Sequence, residues 1–558
     1  MDNKNITITY DEEQQQQTSL GISLAELLHE LPPRKIMPVA AVVNGLLQEL
    51  DYRLYIDSNI QWLDYGSSGG HRIYKRSLVF LLLAAAQELF SQHQLWVSHS
   101  LENGLFCRLK GVPPLDAPEI ELLEQHMREL AAANLPIMRY QVSREDGAKF
   151  FFAQGKEEKA RLMLRRKSNS INLYTLDTGK TSLTEYFFGR MASSTGLLND
   201  FSLQPFDDGF VLVLPARNYV LEEKSEFSEP RRLQASVNEY RSWVNLLGIG
   251  SVTDLNQEVE NGDFSELMLI AETLQERMLH RIADLIVAEY PQVKLVLIAG
   301  PSSSGKTTFT RRLAIQLRTL GIKPISISMD DYFLNREQTP LTAEGKPDYE
   351  GPAALDLPLF NQQLAALIAG EEVLLPRYDF ITGQRAPESF PCRLGDRQII
   401  VVEGIHALNE TITSAISHDN KRKIFVSAMT QLNLDPYNPI ATSDNRLIRR
   451  MVRDMQFRNM TPAATLEHWE EVRRGEYQNI FPYQEDADYF FNSALIYELP
   501  VLRPYVETAL AAITPDMPAY LEGKRMLRFI QYFTEAKSDI IPKNSILQEF
   551  LGGSCFES

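Results

Sequence analysis

The spacing of apolar residues changes several times along this chain, and each change predicts a different element. In the first 66 residues, period-two alternation and β-favouring runs predict strands at residues 6–10, 39–43 and 54–56. Residues 23–31 repeat apolar side chains with helical spacing, and Ser23 with Glu26 three residues later forms a capping signal. The chain therefore begins with a predicted β-rich module that contains one helix.

The next region, residues 67–215, mixes the two periods. Residues 77–90 predict a strongly apolar helix, and residues 120–134 predict an amphipathic helix with one charged face. Short strand-like runs follow at residues 149–152 and 209–214. This region is predicted to be a mixed α+β domain.

Charged, helix-favouring sequence fills residues 216–288, and Phe264–Ala288 is its longest predicted helix. A new pattern follows, in which an apolar strand runs into a glycine-rich loop and then a helix. The predicted elements of this part are a strand at 294–299, a helix at 307–320, and further strands at 323–328 and 397–402. Strands that alternate with helices predict a parallel sheet flanked by helices. From about residue 512 the sequence is polar and helical.

Composition limits the class of protein. A chain of 558 residues is too long for one hydrophobic core, so we expect three or four domains and a multidomain α/β fold. The net charge of −17 argues against a protein that coats nucleic acid. Three widely separated cysteines without a CxxC pair predict free thiols in a reducing compartment. The N-terminus lacks a signal-peptide pattern, and the longest apolar run is far shorter than the ~20 residues of a membrane span. We therefore expect a cytoplasmic protein without a membrane partner.

The most specific motif is GPSSSGKT at residues 300–307, which fits G-x-x-x-x-G-K-[ST] in full. It lies between a predicted strand and a predicted helix, as a phosphate-binding loop requires. Backbone N–H groups of such a loop surround phosphate, Lys306 reaches the β- and γ-oxygens, and the Thr307 hydroxyl ligates Mg²⁺. The predicted nucleotide-binding residues are Gly300, Pro301, Ser302, Ser303, Ser304, Gly305, Lys306, Thr307 and Thr308.

Two acidic sites follow predicted strands. Asp330 and Asp331 come directly after the strand at 323–328, and Glu403 ends the apolar run after Gln398. In an open α/β sheet the carboxyl ends of the strands carry the functional residues. A carboxylate at Asp330 could orient a substrate hydroxyl, accept its proton or bind Mg²⁺, whereas a helix cap or surface turn is the structural alternative. Glu403 fits a metal-site carboxylate, with helix capping as its alternative.

An arginine cluster follows near residue 446. Arginines recur at helical i, i+3, i+4 and i+7 spacing, so they are predicted to share one face of a helix: Arg446, Arg449, Arg450 and Arg453. Such a face could close over a transferring phosphoryl group and neutralise its charge. The alternative is a solvated charged face that pairs with Asp444 and Asp454.

Together these motifs resemble the uridine kinase and phosphoribulokinase group of P-loop kinases. The resemblance covers residues 294–510 and includes SMDDYF, DYEGPAALDLPLF, PRYDFITGQR, VVEGIHAL and RLIRRMVRD in the expected order. It implies that Asp330 is the catalytic carboxylate near Mg²⁺, that Glu403 joins Thr307 at the metal, and that Arg450 and Arg453 belong to an arginine lid. It also implies a set of residues that border a nucleoside: Tyr349, Glu350, Tyr378, Phe380 and Arg385.

Two positions depart from the pattern of that family. Uridine kinases typically carry a pyrimidine-contacting His in the tract that matches residues 378–385, where this chain has Gly383. Glu350 stands where an Asp usually binds the ribose hydroxyls. Both departures leave the kinase chemistry in place and leave the identity of the acceptor open.

The first half resembles other modules. Residues 1–66 are similar to a TGS domain, and residues 67–215 are similar to the second additional domain of threonyl-tRNA synthetases, as in LENGLF and LAAANLP. That synthetase domain uses HxxxH and CxxxH pairs to bind metal. The matching positions here hold no competent zinc ligand, which predicts loss of the editing chemistry: Arg76, Phe80, Phe187 and Met191.

The predicted organisation is a TGS-like module (1–66), a synthetase-like domain (67–215), a helical connector (216–288), a P-loop kinase domain (289–511) and a helical extension (512–558). We expect an enzyme that uses ATP and Mg²⁺ to phosphorylate the 5′-hydroxyl of a nucleoside such as uridine or cytidine. A kinase of another polyol or sugar phosphate is one alternative. A nucleotide-switched RNA-binding protein is another, against which the acidic charge weighs. Whether the chain forms a homo-oligomer is left open.

Overall fold

The computed structural model describes residues 5–11, 13–101, 103–111, 113–216, 230–341, 345, 347–379, 382–430 and 432–556. The elements below carry labels in chain order. The domain boundaries proposed from the sequence stay predictions, because the buried cores cross several of them.

The N-terminal module consists of one mixed sheet and a helix. Its elements are β1 (Asn5–Tyr10), β2 (Gln14–Ser19), α1 (Leu24–Glu30), β3 (Ala40–Val43), β4 (Leu46–Glu49) and β5 (Ser58–Leu63). The strands lie in the order β2-β1-β5-β3-β4, with β1 parallel to β5 and the other pairs antiparallel. Helix α1 begins with the predicted capping box of Ser23 and Glu26 and packs Leu24 and Leu27 against the sheet.

One predicted strand of this module is wrong. Residues 54–56 lie in a connecting segment outside the sheet strands. The backbone of Leu54 does exchange hydrogen bonds with Gly21 and Ile22, and its side chain is buried in the module core. The apolar character of Leu54 thus reflects burial, which a connecting segment can provide as well as a strand can.

The synthetase-like region contains two antiparallel sheets and four helices among the residues described for it. Its elements are α2 (Ser68–Leu89), β6 (Gln94–Leu101), β7 (Gly104–Lys110), α3 (Ala117–Ala132), β8 (Ile137–Ser143), α4 (Arg144–Ala153), α5 (Glu157–Leu164), β9 (Ser170–Asp177), β10 (Ser182–Tyr186), β11 (Ser202–Phe206) and β12 (Gly209–Val213). The sheets have the orders β10-β9-β8 and β11-β12-β7-β6. The strand predicted at 149–152 is wrong, because it forms the end of α4, which Ser143 caps. A short apolar run cannot by itself distinguish a buried helix from a strand.

Three helices lead from this region to the kinase sheet within the described part of the connector. They are α6 (Arg231–Leu246), α7 (Val252–Asn261) and α8 (Phe264–Ala288), and α8 has the bounds that the sequence predicts. Helix α8 lies along the helix that follows the phosphate loop, where the Arg312 guanidinium donates to the Glu276 carboxylate at 2.6 Å. The connector is therefore packed against the kinase domain.

Residues 289–511, the predicted P-loop kinase region, are built around a parallel sheet. Its elements are β13 (Leu295–Ala299), α9 (Lys306–Thr319), β14 (Lys323–Ser328), α10 (Leu357–Ile368), β15 (Glu372–Leu375), β16 (Tyr378–Asp379), β17 (Gln384–Arg385), β18 (Phe390–Arg393), β19 (Gln398–Glu403), β20 (Lys421–Ser427), β21 (Asn433–Asp435), β22 (Asn438–Pro439), α11 (Thr442–Phe457), α12 (Pro462–Asn479), β23 (Tyr489–Asn492) and α13 (Glu498–Ala511). The main sheet has the order β14-β19-β13-β20-β23, with all these pairs parallel. This arrangement confirms the predicted parallel α/β sheet.

The C-terminal stretch packs into the kinase core. It contains α14 (Tyr520–Ile530) and α15 (Gln548–Leu551), joined by turns. The side chains of Ile546, Leu547 and Phe550 are fully buried, in the same cluster as Phe309 of α9 and Leu447 of α11. The chain thus returns from its C-terminal end to the helices that flank the phosphate loop.

Across the ranges for which the structure gives coordinates, every helix is too short or too polar to cross a membrane.

A buried charge cluster connects the synthetase-like region to the kinase region. Lys159 of α5 is 3% exposed; it forms an ion pair with Glu185 of β10 and lies 3.5 Å from the Asp435 carboxylate. Burial by itself would raise the pKa of Glu185, but Lys159 and Lys156 hold that pKa below its usual value. The cluster is therefore stable only because its desolvated positive and negative charges compensate one another.

We predict that Lys159→Met destabilises the protein by about 3–5 kcal/mol, because it leaves buried carboxylates without their cation. Thermal unfolding of full-length protein measures the effect. The exposed Lys149 on α4 provides the matched control, and Lys149→Met should leave the melting temperature unchanged. Equal melting temperatures for the two variants would contradict the assigned importance of the cluster.

Candidate active site

The phosphate loop joins β13 to α9, in the position that the sequence predicts. Gly305, the N-cap of α9, has φ +84°, a left-handed conformation that glycine adopts without strain. A Cβ at Gly300 would lie 2.0 Å from the carbonyl oxygen of Val426, so only glycine fits beside strand β20. These two glycines allow the loop to turn sharply between the strand and the first N–H groups of the helix.

The predicted metal-binding residues meet at the end of the sheet. The Thr307 hydroxyl donates to Glu403 Oε1 at 3.2 Å, and the Thr310 hydroxyl donates to Glu403 Oε2 at 3.2 Å. Glu403 is the last residue of β19, which pairs with β13, and this pairing places its carboxylate beside the start of α9. The Lys306 ammonium donates to the carbonyl oxygens of Gly300 and Pro301 at 2.8 and 3.1 Å.

The two neighbouring aspartates after β14 have different surroundings. Asp331 Oδ1 accepts a hydrogen bond from the backbone N–H of Tyr378 at 3.2 Å, so this carboxylate anchors the segment that begins at β16. Asp330 has its side chain in the solvent-accessible cleft, yet enclosing protein atoms raise its pKa, and the charge of Lys306 opposes that rise. Asp330 follows β14, whose last residue Ser328 pairs with Glu403 of β19, so Asp330 lies at the same end of the sheet as the phosphate loop.

Desolvation governs the charges around Lys306. Burial lowers the pKa of the Lys306 ammonium and raises that of the Glu403 carboxyl, while the attraction between the two groups opposes both shifts. An ammonium beside two carboxylates in such a place provides fixed charge for an incoming polyphosphate and its metal. Oxygen ligands from Thr307, Glu403 and Asp330 are of the type that Mg²⁺ prefers.

The arginine helix α11 faces the phosphate loop. Two of its four predicted arginines are buried in the core. Arg446 and Arg449 are 1% and 0% exposed and form buried ion pairs with Glu476 and Glu498. They are thereby held in the core by buried ion pairs, which contradicts the alternative of a solvated charged face for these two residues. Their guanidinium groups also donate to backbone carbonyls of the loop.

The other two arginines of α11 lie nearer the cleft. The Arg450 guanidinium donates to the Ser302 hydroxyl at 2.7 Å, and Arg453 donates to Asp454 at 2.9 Å. The expected partner Asp454 is therefore found. Asp444 instead pairs with Arg525 of α14 at 2.6 Å. The contact with Ser302 places the Arg450 guanidinium at the phosphate loop, and the part of Arg450 and Arg453 in catalysis stays a prediction.

The residues predicted to border the acceptor fall into two places. Glu350 is half-buried beside α12. Burial is the main cause that raises its pKa to about 6, and the negative charge of Glu476 is the second. Tyr349 next to it is 44% exposed. Tyr378 and Arg385 are paired across the β16–β17 ribbon, and Arg385 forms an ion pair with Asp356 at 3.0 Å. Phe380 lies outside the described residues.

Gly383, which departs from the family pattern, has a structural explanation. Its φ of +70° favours glycine, and a Cβ there would lie 2.4 Å from the side chain of Arg336. The backbone N–H of Arg336 also donates to the Gly383 carbonyl oxygen at 3.0 Å. Arg336 thus occupies the space that a side chain at position 383 would need.

Two carboxylates on the phosphate loop were missed by sequence reasoning. Glu476 Oε1 accepts the backbone N–H of Ser302 at 3.0 Å, and Glu549 Oε2 accepts the backbone N–H of Thr308 at 3.0 Å. Each glutamate lies on a helix of ordinary composition and far from the loop in sequence. No local pattern distinguishes them from glutamates on a solvated helix face, so only the packing of the helices identifies them.

The positions matched to the synthetase metal site do come together in space. Phe80 and Phe187 pack edge to face with their ring centroids 5.3 Å apart, and Met191 is buried in the same core. The guanidinium of Arg76 donates to the carbonyl oxygen of Arg190. Apolar packing occupies the place where the resemblance would put metal ligands, and loss of the editing chemistry stays a prediction.

A phosphate loop on a parallel sheet, with carboxylates at the ends of the neighbouring strands, defines a P-loop phosphotransferase. Residues 295–496 match the sequence model of the Phosphoribulokinase / Uridine kinase family. A uridine kinase of Deinococcus deserti is 33% identical over 178 residues, which cover 32% of this chain and 76% of the relative. A uridine kinase of Tolumonas auensis is 30% identical over 201 residues, which cover 36% of this chain and 86% of the relative. The chain belongs to the phosphoribulokinase/uridine kinase family.

The first half has a different relative. A threonine–tRNA ligase of Symbiobacterium thermophilum is 28% identical over 185 residues, which are 33% of this chain and 28% of that protein. This similarity agrees with the synthetase-like module expected from the sequence. The chain thus combines a kinase of a known family with part of a synthetase-like architecture.

Proposed function

We propose that this protein transfers the γ-phosphate of ATP to the 5′-hydroxyl of a nucleoside, with uridine or cytidine as the type of acceptor. The observation that carries the proposal is the phosphate loop at the start of α9, with the Thr307–Glu403 hydrogen bond beside it and Asp330 just after β14, whose Ser328 pairs with Glu403. Membership in a kinase family that includes uridine kinases supports ATP as the phosphoryl donor. The fine specificity for a nucleoside rests on the resemblance of the acceptor-side residues.

In the proposed mechanism the protein acts by positioning and by electrostatics. The N–H groups of the phosphate loop and the Lys306 ammonium hold the polyphosphate. Asp330 aligns the acceptor hydroxyl and accepts its proton, and a carboxyl whose pKa is raised is better suited to accept it than one of ordinary pKa. Arg450 and Arg453 stabilise the charge on the transferring group.

The oxygen atoms at this site fit Mg²⁺. Thr307 and Glu403 would hold it, with Asp330 nearby, and a bound Mg²⁺ neutralises charge on the phosphates and orients them. Within the described ranges there is no cluster of three or more His, Cys, Asp or Glu suited to a metal.

A second acceptor class is favoured by one observation. The side chain of Arg336 occupies the space next to Gly383, where a uridine kinase would place a base-contacting side chain. The Cγ, Cδ and Nε atoms of Arg336 fill this space, so position 383 offers no side chain of its own to contact a base. A sugar phosphate or another polyol is therefore the alternative acceptor.

We predict that full-length protein with ATP and Mg²⁺ releases ADP in the presence of a nucleoside and forms a nucleoside monophosphate. The measurement follows ADP release and product mass with a panel of nucleosides, ribose, inositol and sugar phosphates. Turnover with a non-nucleoside alone would select the alternative acceptor class. Failure of every acceptor, with folded protein that binds ADP, would contradict the kinase assignment.

We predict that Asp330→Asn lowers kcat by about 100- to 10,000-fold, because the base and its charge are lost together. ADP affinity, measured by calorimetry, should stay close to that of the wild type. The neighbouring Asp331→Asn is the matched comparison, since Asp331 anchors Tyr378, and its main effect should be on the KM of the acceptor. Wild-type turnover by Asp330→Asn would contradict its assignment as the catalytic carboxylate.

A further inference from the structure

Helix α12 contacts both the donor side and the acceptor side of the site through adjacent residues. Glu476 accepts the backbone N–H of Ser302 in the phosphate loop at 3.0 Å. Its neighbour Gly475 faces Glu350, because a Cβ built at Gly475 would lie 2.9 Å from Glu350 Cβ. Asn479, one turn further on, donates to the Glu350 carbonyl oxygen at 2.9 Å.

The Glu476 carboxylate is fixed by charge. It is 1% exposed, and the guanidinium groups of Arg446 and Arg473 donate to its Oε2 at 2.8 and 2.7 Å. Arg446 in turn donates to the Ser302 carbonyl oxygen at 3.1 Å. The peptide groups on both sides of Ser302 are therefore held by one desolvated ion-pair cluster, which leaves the loop little freedom.

Gly475 has a steric reason to be glycine. A glycine in the middle of a helix is less stable than alanine by about 0.5–1 kcal/mol. At this position a methyl group would come closer to Glu350 than side-chain atoms allow. Glycine at this position makes α12 less stable, but it allows the segment that carries Glu350 to pack closely against the helix.

We infer that α12 sets the distance between the phosphate loop and the acceptor segment, with Glu476 as a positioning residue for the donor and Gly475 as the contact for the acceptor. Both residues act through others, since neither is placed to touch the reacting atoms. The inference rests on the proposed kinase function, but its donor half concerns nucleotide binding alone. The two halves predict separable effects from adjacent residues.

The test compares Glu476→Gln and Gly475→Ala in the full chain. At about pH 8, where Glu350 is ionised with or without the charge of Glu476, loss of a charge-assisted hydrogen-bond network should weaken ADP binding by roughly tenfold in Glu476→Gln and leave the KM for uridine unchanged. Overpacking in Gly475→Ala should raise the KM for uridine, or for the panel acceptor that the wild type phosphorylates, by roughly tenfold at unchanged ADP affinity. The exposed Glu470 on the same helix supplies the control, Glu470→Gln.

Any other pattern overturns the inference. Examples are equal changes in the Kd for ADP and the KM for the acceptor, or no change of either constant in either variant. If Glu476→Gln does not fold, Gly475→Ala decides alone, and an unchanged KM for the acceptor rejects the positioning role. If wild-type protein binds ADP but phosphorylates no acceptor, the proposed function fails while the ADP comparison for Glu476→Gln remains decisive.

A second and independent observation concerns the C-terminal segment of residues 545–551. Ile546 Cγ2 lies 2.7 Å from the place that a Cβ on Gly305 would take, and the Phe550 ring lies under the Arg449 guanidinium at 5.1 Å. Arg311 of α9 donates to the carbonyl oxygen of Phe556. This segment is therefore docked against the start of the phosphate-loop helix.

The docked segment places a carboxylate on the loop. Glu549 Oε2 accepts the backbone N–H of Thr308 at 3.0 Å, and the N-cap residue Gly305 has no side chain to do so. N–H groups in the first turn after a phosphate loop are those that bind the phosphates of a nucleotide. The negative charge of Glu549 also acts on Lys306 and Glu403.

We propose that Glu549 makes an autoinhibitory contact, in which its carboxylate competes with nucleotide phosphate for the Thr308 N–H and must leave when nucleotide binds. The C-terminal segment then lowers the affinity for nucleotide without contacting the groups that react. This proposal depends on nucleotide binding at the phosphate loop and is independent of which acceptor is used.

Calorimetric titration of ADP into full-length Glu549→Gln tests it. Removal of an anion from the helix N-terminus should tighten ADP binding by roughly fivefold. Asp539→Asn, an exposed acid before the docked segment, should leave ADP affinity unchanged. Affinity that is unchanged or weaker in folded Glu549→Gln would reject the autoinhibitory contact and assign Glu549 to structural capping. Wild-type protein that binds no ADP, with no gain in Glu549→Gln, would instead reject the proposed nucleotide site.

Discussion

Two desolvated ion pairs behind the phosphate loop hold the whole site together. Arg446 pairs with Glu476 and Arg449 pairs with Glu498, and all four side chains are buried. Charges removed from water are stable only when their partners stay in place, and removing one partner of such a pair typically costs 3–5 kcal/mol. The helices that carry these residues are therefore held to one another and to the loop.

This constraint explains why the site draws on segments that are distant in sequence. The sheet supplies Glu403 and Asp330 at the ends of its strands, and α12 reaches both Ser302 and the segment of Glu350. The C-terminal stretch adds Glu549 on the opposite end of the loop. The phosphate loop, the segment of Glu350 and the C-terminal segment are thus connected to one another through contacts with α12 and with the first turn of α9.

The first half of the chain contributes to the same framework in another way. Lys159 joins Glu185 to Asp435 of the kinase region, which connects the synthetase-like sheets to the kinase fold through buried charge. The positions matched to the synthetase metal ligands are filled by the Phe80–Phe187 contact instead. This half is therefore built into the kinase structurally, with an apolar core where a metal site would lie in the related architecture.

The sequence by itself determined the parallel sheet, the phosphate loop and the strand-end carboxylates, because these depend on local spacing: Gly300 and Gly305 permit one turn, Glu403 ends β19, and Asp330 lies two residues beyond the end of β14. It was wrong where short apolar runs are ambiguous, as at residues 149–152, and helical spacing alone did not show which arginines of α11 are buried. The placement of Glu476, Glu549 and Arg336 was decided by tertiary structure alone. Their positions follow from the packing of helices and loops far apart in the chain, and such contacts leave no periodic signal in the sequence.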